Sequence, residues 1–221
     1  MNRYGADPVH YLDSLLDELA KKWPDNRTVN IVCHGHSIPA GYFATPFVNT
    51  FDAYPHRLHR LIKERFPFAV VNVIVTAIGG ETSDTGSERF ARDVLTHRPD
   101  LVTIDYVLND RGLPLDRVER NWRRMIEETL AAGSALILLT GTFDRFYFSS
   151  PDERKELSER AELVRRLADE YKVGLADSMD AWLGAVRDET DVANMLSHVN
   201  HPSVQAHGLI VRELGKFFQA R

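Results

Sequence analysis

"VNIVCHGHSIPAGY", residues 29–42, is the stretch on which the fold turns. Residues 29–33 hold Val29, Ile31, Val32 and Cys33 with only Asn30 to interrupt them. A short, β-branched apolar run of this kind reads as a strand buried on both faces, which is the habit of a parallel sheet. It runs into Gly35, and then Ser37 stands between His36 and Ile38-Pro39. A buried strand that ends in glycine and a lone hydroxyl needs a sharp turn at its exit. In an open α/β sheet, the exits are where ligands bind.

Working outward, strand-like and helix-like segments alternate along the whole chain. Residues 9–23 carry Leu12, Leu15, Leu16, Leu19 and Trp23 at helical spacing after Asp7-Pro8. Residues 55–65 predict a basic amphipathic helix, and "AVVNVIVTAIGG" (69–80) predicts a buried strand closed by two glycines. A helix over 87–97 is expected to stop at Pro99, followed by a strand over 100–110. The best helix signal spans 115–132, with Val118, Trp122, Met125, Ile126 and Leu130 on one face and Gly133 as its stop. A strand over 134–142, a charged helix over 152–171, a short strand in "KVGLADS" and a last helix over 203–219 complete the series. Strands alternating with helices predict an α/β fold: a three-layer α/β/α sandwich on a mostly parallel five-stranded sheet. No repeat or flexible linker divides the chain, so one domain over 1–221 is expected.

At 221 residues the chain can bury about 70% or more of its unfolded surface. Its net charge of −5, with acids and bases interspersed, lacks the basic footprint of a nucleic-acid binder. The one basic cluster, Arg117, Arg120, Arg123 and Arg124, alternates with Glu119, Glu127 and Glu128 and reads as a solvated helix face. A single cysteine, Cys33, excludes an internal disulfide framework and reads as buried and inert. No apolar run approaches a membrane span, and no signal-peptide pattern opens the chain, so a cytoplasmic location is expected.

The strand exits carry the chemistry. They are Gly35-His36-Ser37, Gly79-Gly80-Glu81, Asn109-Asp110 and Thr140-Gly141-Thr142, with "HVNHP" (198–202) ahead of the last helix and Pro202 at a plausible first helical position. Ester cleavage needs a hydroxyl nucleophile, an imidazole to take its proton, and N–H donors aimed at the oxyanion. Ser37 can be the nucleophile, seated where a helix N-terminus favours negative charge, and His201 the base. The Ser37 and Gly80 backbone N–H groups and the Asn109 amide can be the oxyanion donors.

In this order the residues resemble the SGNH (GDSL-like) hydrolase family, named for a Ser, a Gly, an Asn and a His in separate blocks. Its Gly-Asp-Ser block is similar to Gly35-His36-Ser37, followed by Ile38-Pro39-Ala40-Gly41-Tyr42. Gly80 matches the second block, "VLND" (107–110) the third, and "HVNHP" (198–202) the Asp-x-x-His-Pro block, with His207-Gly208 as an echo of its later Gly-His. The resemblance implies a serine esterase that needs no cofactor and takes a small-molecule acyl ester, with O-acetylated carbohydrate among the substrates. Three positions depart from the pattern. His36 replaces an aspartate, Val107 replaces a glycine, and His198 stands where the triad acid is expected. Without that acid, His201 must be oriented by a backbone carbonyl, by Asn200 or by an acid from elsewhere.

Two other readings compete. His34, His36, Asp110, His198, His201 and His207 could supply ligands to a metal-dependent hydrolase, although no HExxH-type spacing appears. The missing acid also admits a non-catalytic, ligand-binding relative. Asp110, Thr142 and Asp144 are candidates to line the cleft, and Asp177 reads as structural. "FDRFYF" (143–148) is either a substrate-facing wall or a flap packed on the core.

Overall fold

The computed structural model, described over residues 4–219, has the layered α/β/α architecture expected from the alternation. Strands β1 (Thr28–Gly35), β2 (Val70–Val75), β3 (Leu101–Asp105), β4 (Ala135–Leu139) and β5 (Gly174–Ala176) form one parallel sheet in the order β2-β1-β3-β4-β5. The helices are α1 (Asp13–Ala20), α2 (Ser37–Ala40), α3 (Tyr54–Arg65), α4 (Ser83–Glu88), α5 (Phe90–Asp93), α6 (Leu115–Ala131), α7 (Pro151–Tyr171), α8 (Ser178–Leu183), α9 (Glu189–Met195) and α10 (Val204–Gly215). Helices α3 and α10 pack on each other; α4 packs on α6, and α6 on α7.

Strands β1 and β3 are central, and every residue of β3 is buried. Edge strand β2 alternates in exposure over its first three residues and then stays half-buried. From β1 the chain crosses to β2 on one side and returns to β3 on the other. The crevice between the ends of β1 and β3 is therefore the topological switch point, where such sheets bind ligands. Helix α6 buries Val118, Trp122, Met125, Ile126 and Thr129 on one stripe. Its arginines face solvent and are paired: Arg117 with Asp84, Arg120 with Asp116, Arg123 with Glu119 and Glu170, and Arg124 with Glu128. Cys33 is fully buried, and burial pushes its thiol up to about 12. Among the described residues no helix is long and apolar enough to cross a membrane.

Several boundaries differ from expectation. The helix expected over 87–97 is broken into α4, α5 and a 3-10 turn, and ends at Arg98 with φ 47°. This segment packs closely against the residues beside the site. A Cβ at Gly86 would overlap the hydroxyl of Tyr106, and the Gly86 carbonyl is engaged by His34 Nε2 at 3.2 Å. The strand expected over 69–80 stops at Val75. The chain beyond it stays tied to β1 through Thr76 N–H to the Cys33 carbonyl and Ile78 N–H to the Gly35 carbonyl, each 3.0 Å. The strand over 100–110 stops at Asp105, and Tyr106–Asp110 form a turn. The first helix is trimmed to α1. The last helix starts after Ser203, which caps it, so Pro202 lies outside it.

Candidate active site

Ser37 follows β1 by two residues and opens α2. Gly35 makes that placement feasible, because a Cβ there would collide with the Asp105 carbonyl on the neighbouring strand. Helix α2 is a single turn of four residues, too short for the macrodipole support expected at Ser37. What the site uses instead is side-chain geometry. The Ser37 hydroxyl lies 3.0 Å from His201 Nε2, and both residues are buried. His201 comes from the segment just before α10, held by an isolated antiparallel bridge between Leu196 and Pro202 and by Ser197 N–H on the His201 carbonyl at 2.9 Å.

The other ring nitrogen, Nδ1, lies 2.7 Å from the Phe43 carbonyl, with the Thr45 hydroxyl farther off at 3.5 Å. A carbonyl can only accept, so Nδ1 carries the proton and Nε2 presents its lone pair to the Ser37 hydroxyl. That is the tautomer a general base requires. In a serine triad a carboxylate fixes it; here a main-chain oxygen does. His198 is exposed and makes no hydrogen bond to His201. Of the alternatives open from the sequence, the backbone carbonyl is the one present.

Gly80 and Asn109 meet through Glu81. The Asn109 amide donates one hydrogen to the Glu81 carbonyl at 2.9 Å, its second hydrogen having no acceptor among the described residues, and Gly80, with φ 78°, precedes Glu81. The Glu81 side chain is anchored by two bonds from Arg89 and by the Tyr106 hydroxyl at 2.7 Å. Burial works against its charge, but Arg89 and Tyr106 overcome that and hold the carboxyl below its usual range. Tyr106 also reaches His34 Nε2 at 3.0 Å. Ser37, Gly80, Asn109 and His201 thus leave from the ends of β1, β2 and β3 and the approach to α10, around the switch point.

Comparison with known proteins decides the affiliation. The model of the GDSL-like Lipase/Acylhydrolase family matches residues 33–209, well over half the chain. The chain belongs to that family. With it comes carboxylic ester hydrolysis as the chain's chemistry. An acetylxylan esterase of Geobacillus stearothermophilus is 24% identical, the match covering 69% of this chain and 74% of the relative. Among solved structures, a variant of the acetylxylan esterase Axe2 from the same organism superposes with TM-score 0.73 at 21% identity, covering 87% of this chain and 95% of its own. LAE5, an α/β hydrolase from a metagenome of Lake Arreo, Spain, gives TM-score 0.72 at 20% identity, covering 86% and 96%. Catalytic mutants of Axe2 replace a serine, a histidine and an aspartate three residues before that histidine. In this family member the corresponding spacing from His201 falls on His198.

The remaining histidines of this esterase are separately engaged. His34 bonds Thr76, Gly86 and Tyr106, and burial with Arg89 nearby depresses it to about 4. His207 accepts the Tyr54 N–H at 3.2 Å and lies against the Phe43 ring; burial, then Arg57 and His201, depress it to about 3. Among the described residues, no three His, Cys, Asp or Glu side chains converge as metal ligands. Asp110 is buried beneath the site, accepting from Ser83 N–H at 2.8 Å and Trp122 Nε1 at 2.9 Å. Asp144 pairs with Arg111, and Asp177 with Arg165. The aromatic segment divides: Phe143 and Tyr147 stack in the core at 4.0 Å, while Phe146 is 44% exposed. Thr142 is buried.

Burial lowers the pKa of His201; the Phe43 carbonyl opposes it, and the nearby His36 and His198 rings add to the lowering. A general base acts when neutral, so with His201 in that role activity should fall only as pH drops through this depressed value. The acid limb of kcat/KM is therefore expected below pH 6.5, the ordinary imidazole value. A pH–rate profile on a neutral ester checks it; a midpoint at or above 6.5 would contradict the environment described.

Proposed function

We propose that this chain is a serine esterase that removes small acyl groups, acetyl foremost, from acetylated carbohydrate. The carrying observation is the Ser37 hydroxyl at 3.0 Å from an imidazole whose far nitrogen is fixed on a carbonyl. As Ser37 Oγ attacks the ester carbon, its proton passes to His201 Nε2. The Ser37 and Gly80 N–H groups and the free hydrogen of the Asn109 amide receive the oxyanion. Collapse expels the alcohol, which takes the proton back from His201 and leaves an acyl-Ser37 ester. Water, deprotonated by His201, then releases the acid and restores the hydroxyl.

The acetylxylan esterase relative supports a carbohydrate alcohol. So do exposed aromatic side chains on two loops bonded to the His201 segment, Phe47 and Phe146, 61% and 44% exposed. Flat apolar surfaces of this kind suit the face of a sugar ring. Acetate release from an acetylated xylo-oligosaccharide should exceed hydrolysis of p-nitrophenyl octanoate, with p-nitrophenyl acetate also cleaved and EDTA without effect. Preference for the octanoate would overturn the substrate class, and loss of turnover in EDTA would overturn the serine mechanism in favour of a metal.

A further inference from the structure

His36, where the family pattern has aspartate, is fully buried beside the nucleophile. Its Nδ1 lies 3.4 Å from the Ile38 N–H, capping α2, and 3.5 Å from Ser37 Oγ. Its Nε2 faces Asp105 Oδ1 at 3.5 Å, and Asp105 is itself fully buried at the end of β3. No aligned hydrogen bond reaches His36 Nε2 among the described residues, and Asp105 is the acceptor it faces. The buried hydroxyls of Tyr54 and Thr103 complete the cluster, with Tyr54 set against both Asp105 and Thr103. A carboxylate buried so completely is costly and calls for a reason.

We propose that Asp105 and His36 are positioning residues: Asp105 fixes the His36 tautomer that holds Ser37 ready to attack. An N–H donor at Ile38 requires a lone pair on His36 Nδ1, so the ring proton must sit on Nε2, where Asp105 is the group that can accept it. The opposite tautomer would fail twice. Nδ1–H would oppose the Ile38 N–H and uncap the turn, and it would donate to Ser37 Oγ, engaging one of its two lone pairs and making the oxygen a weaker nucleophile. Asp105 thus does for the nucleophile's neighbour what the Phe43 carbonyl does for His201, and the replacement of an aspartate cap by histidine becomes workable. An aspartate at 36 could accept from Ile38 directly, but it would face Asp105 as a second buried anion.

The inference rests on Ser37 being the nucleophile, so its test reads His36 and Ser37 without requiring any one substrate. In ¹⁵N NMR of the wild type, His36 should show a protonated Nε2 and a bare Nδ1; a protonated Nδ1 overturns the proposal. Asp105→Asn, whose amide can donate to Nε2, should shift that tautomer. It should also slow Ser37 labelling by a fluorophosphonate and lower kcat by up to about 10²-fold with KM nearly unchanged. His36→Asn, which keeps an acceptor for the Ile38 N–H, should retain more labelling than His36→Ala. Labelling at wild-type rate in Asp105→Asn, or equal loss in the two His36 variants, would overturn it. Wild-type labelling with the stated tautomer but no ester turnover would instead count against the substrate reading alone.

Discussion

Ser37→Ala is expected to lower kcat on p-nitrophenyl acetate by about 10⁵- to 10⁶-fold, the scale on which losing a serine nucleophile is felt. The change removes one oxygen and little else. Ser37 is 5% exposed, its side chain bonds only His201 at 3.0 Å and, at the limit, His36 at 3.5 Å, and its carbonyl still accepts Tyr42 N–H at 3.0 Å. The turn should therefore survive and thermal stability change little, so that lost turnover reports lost chemistry. Mass spectrometry after rapid quench should find an acetyl adduct on Ser37 in the wild type and none in the variant. Retention of even one-hundredth of the wild-type kcat in Ser37→Ala would remove this residue from the covalent step.

Asn109→Ala should cost about 10²–10³ in kcat, the measured worth of one side-chain oxyanion donor. The amide is well placed to be pre-organised: one hydrogen is committed to the Glu81 carbonyl, and that carbonyl belongs to a residue pinned by Arg89 and Tyr106. Little reorganisation is then needed when negative charge develops. Because the donor matters most in the transition state, KM should move far less than kcat. An unchanged kcat would assign the oxyanion to backbone donors alone. Equal losses in 1/KM and kcat/KM would make Asn109 a ground-state binder.

What could be read without coordinates follows from where the physics is local. The apolar run of β1 and the stripe of α6 have one stable solution each, burial on both faces or on one. The chemistry-bearing exits could be ordered because turns after parallel strands converge on one edge. The expected helix over 87–97 is interrupted in a region where Gly86 lies against Tyr106, from the turn after β3, a contact with no trace in the local periodicity. Helices α8 and α9 were not anticipated; they are short and lie in the excursion between β5 and α10. The orienter of His201 was legible only as a set of alternatives, since a peptide carbonyl has no letter of its own. The Asp105–His36 contact was missed for another reason: a carboxylate at the end of a buried strand looks like a turn residue until its neighbour on the adjacent strand is known.

A main-chain oxygen in the orienting role also changes what selection can act on. An aspartate in that place can be lost by a single substitution, whereas the Phe43 oxygen survives any exchange at position 43 that leaves the loop's course intact. That course is held by main-chain bonds, Phe43 N–H to the Phe47 carbonyl at 3.0 Å and Asn49 N–H to the Gly41 carbonyl at 2.8 Å. Vulnerability is thereby moved from residue identity to segment length. Point changes at exposed Ala44 and Val48 should be tolerated, while inserting or deleting one residue within 43–48 should abolish turnover. Descendants of this chain would be expected to vary more in the letters of that loop than in its count.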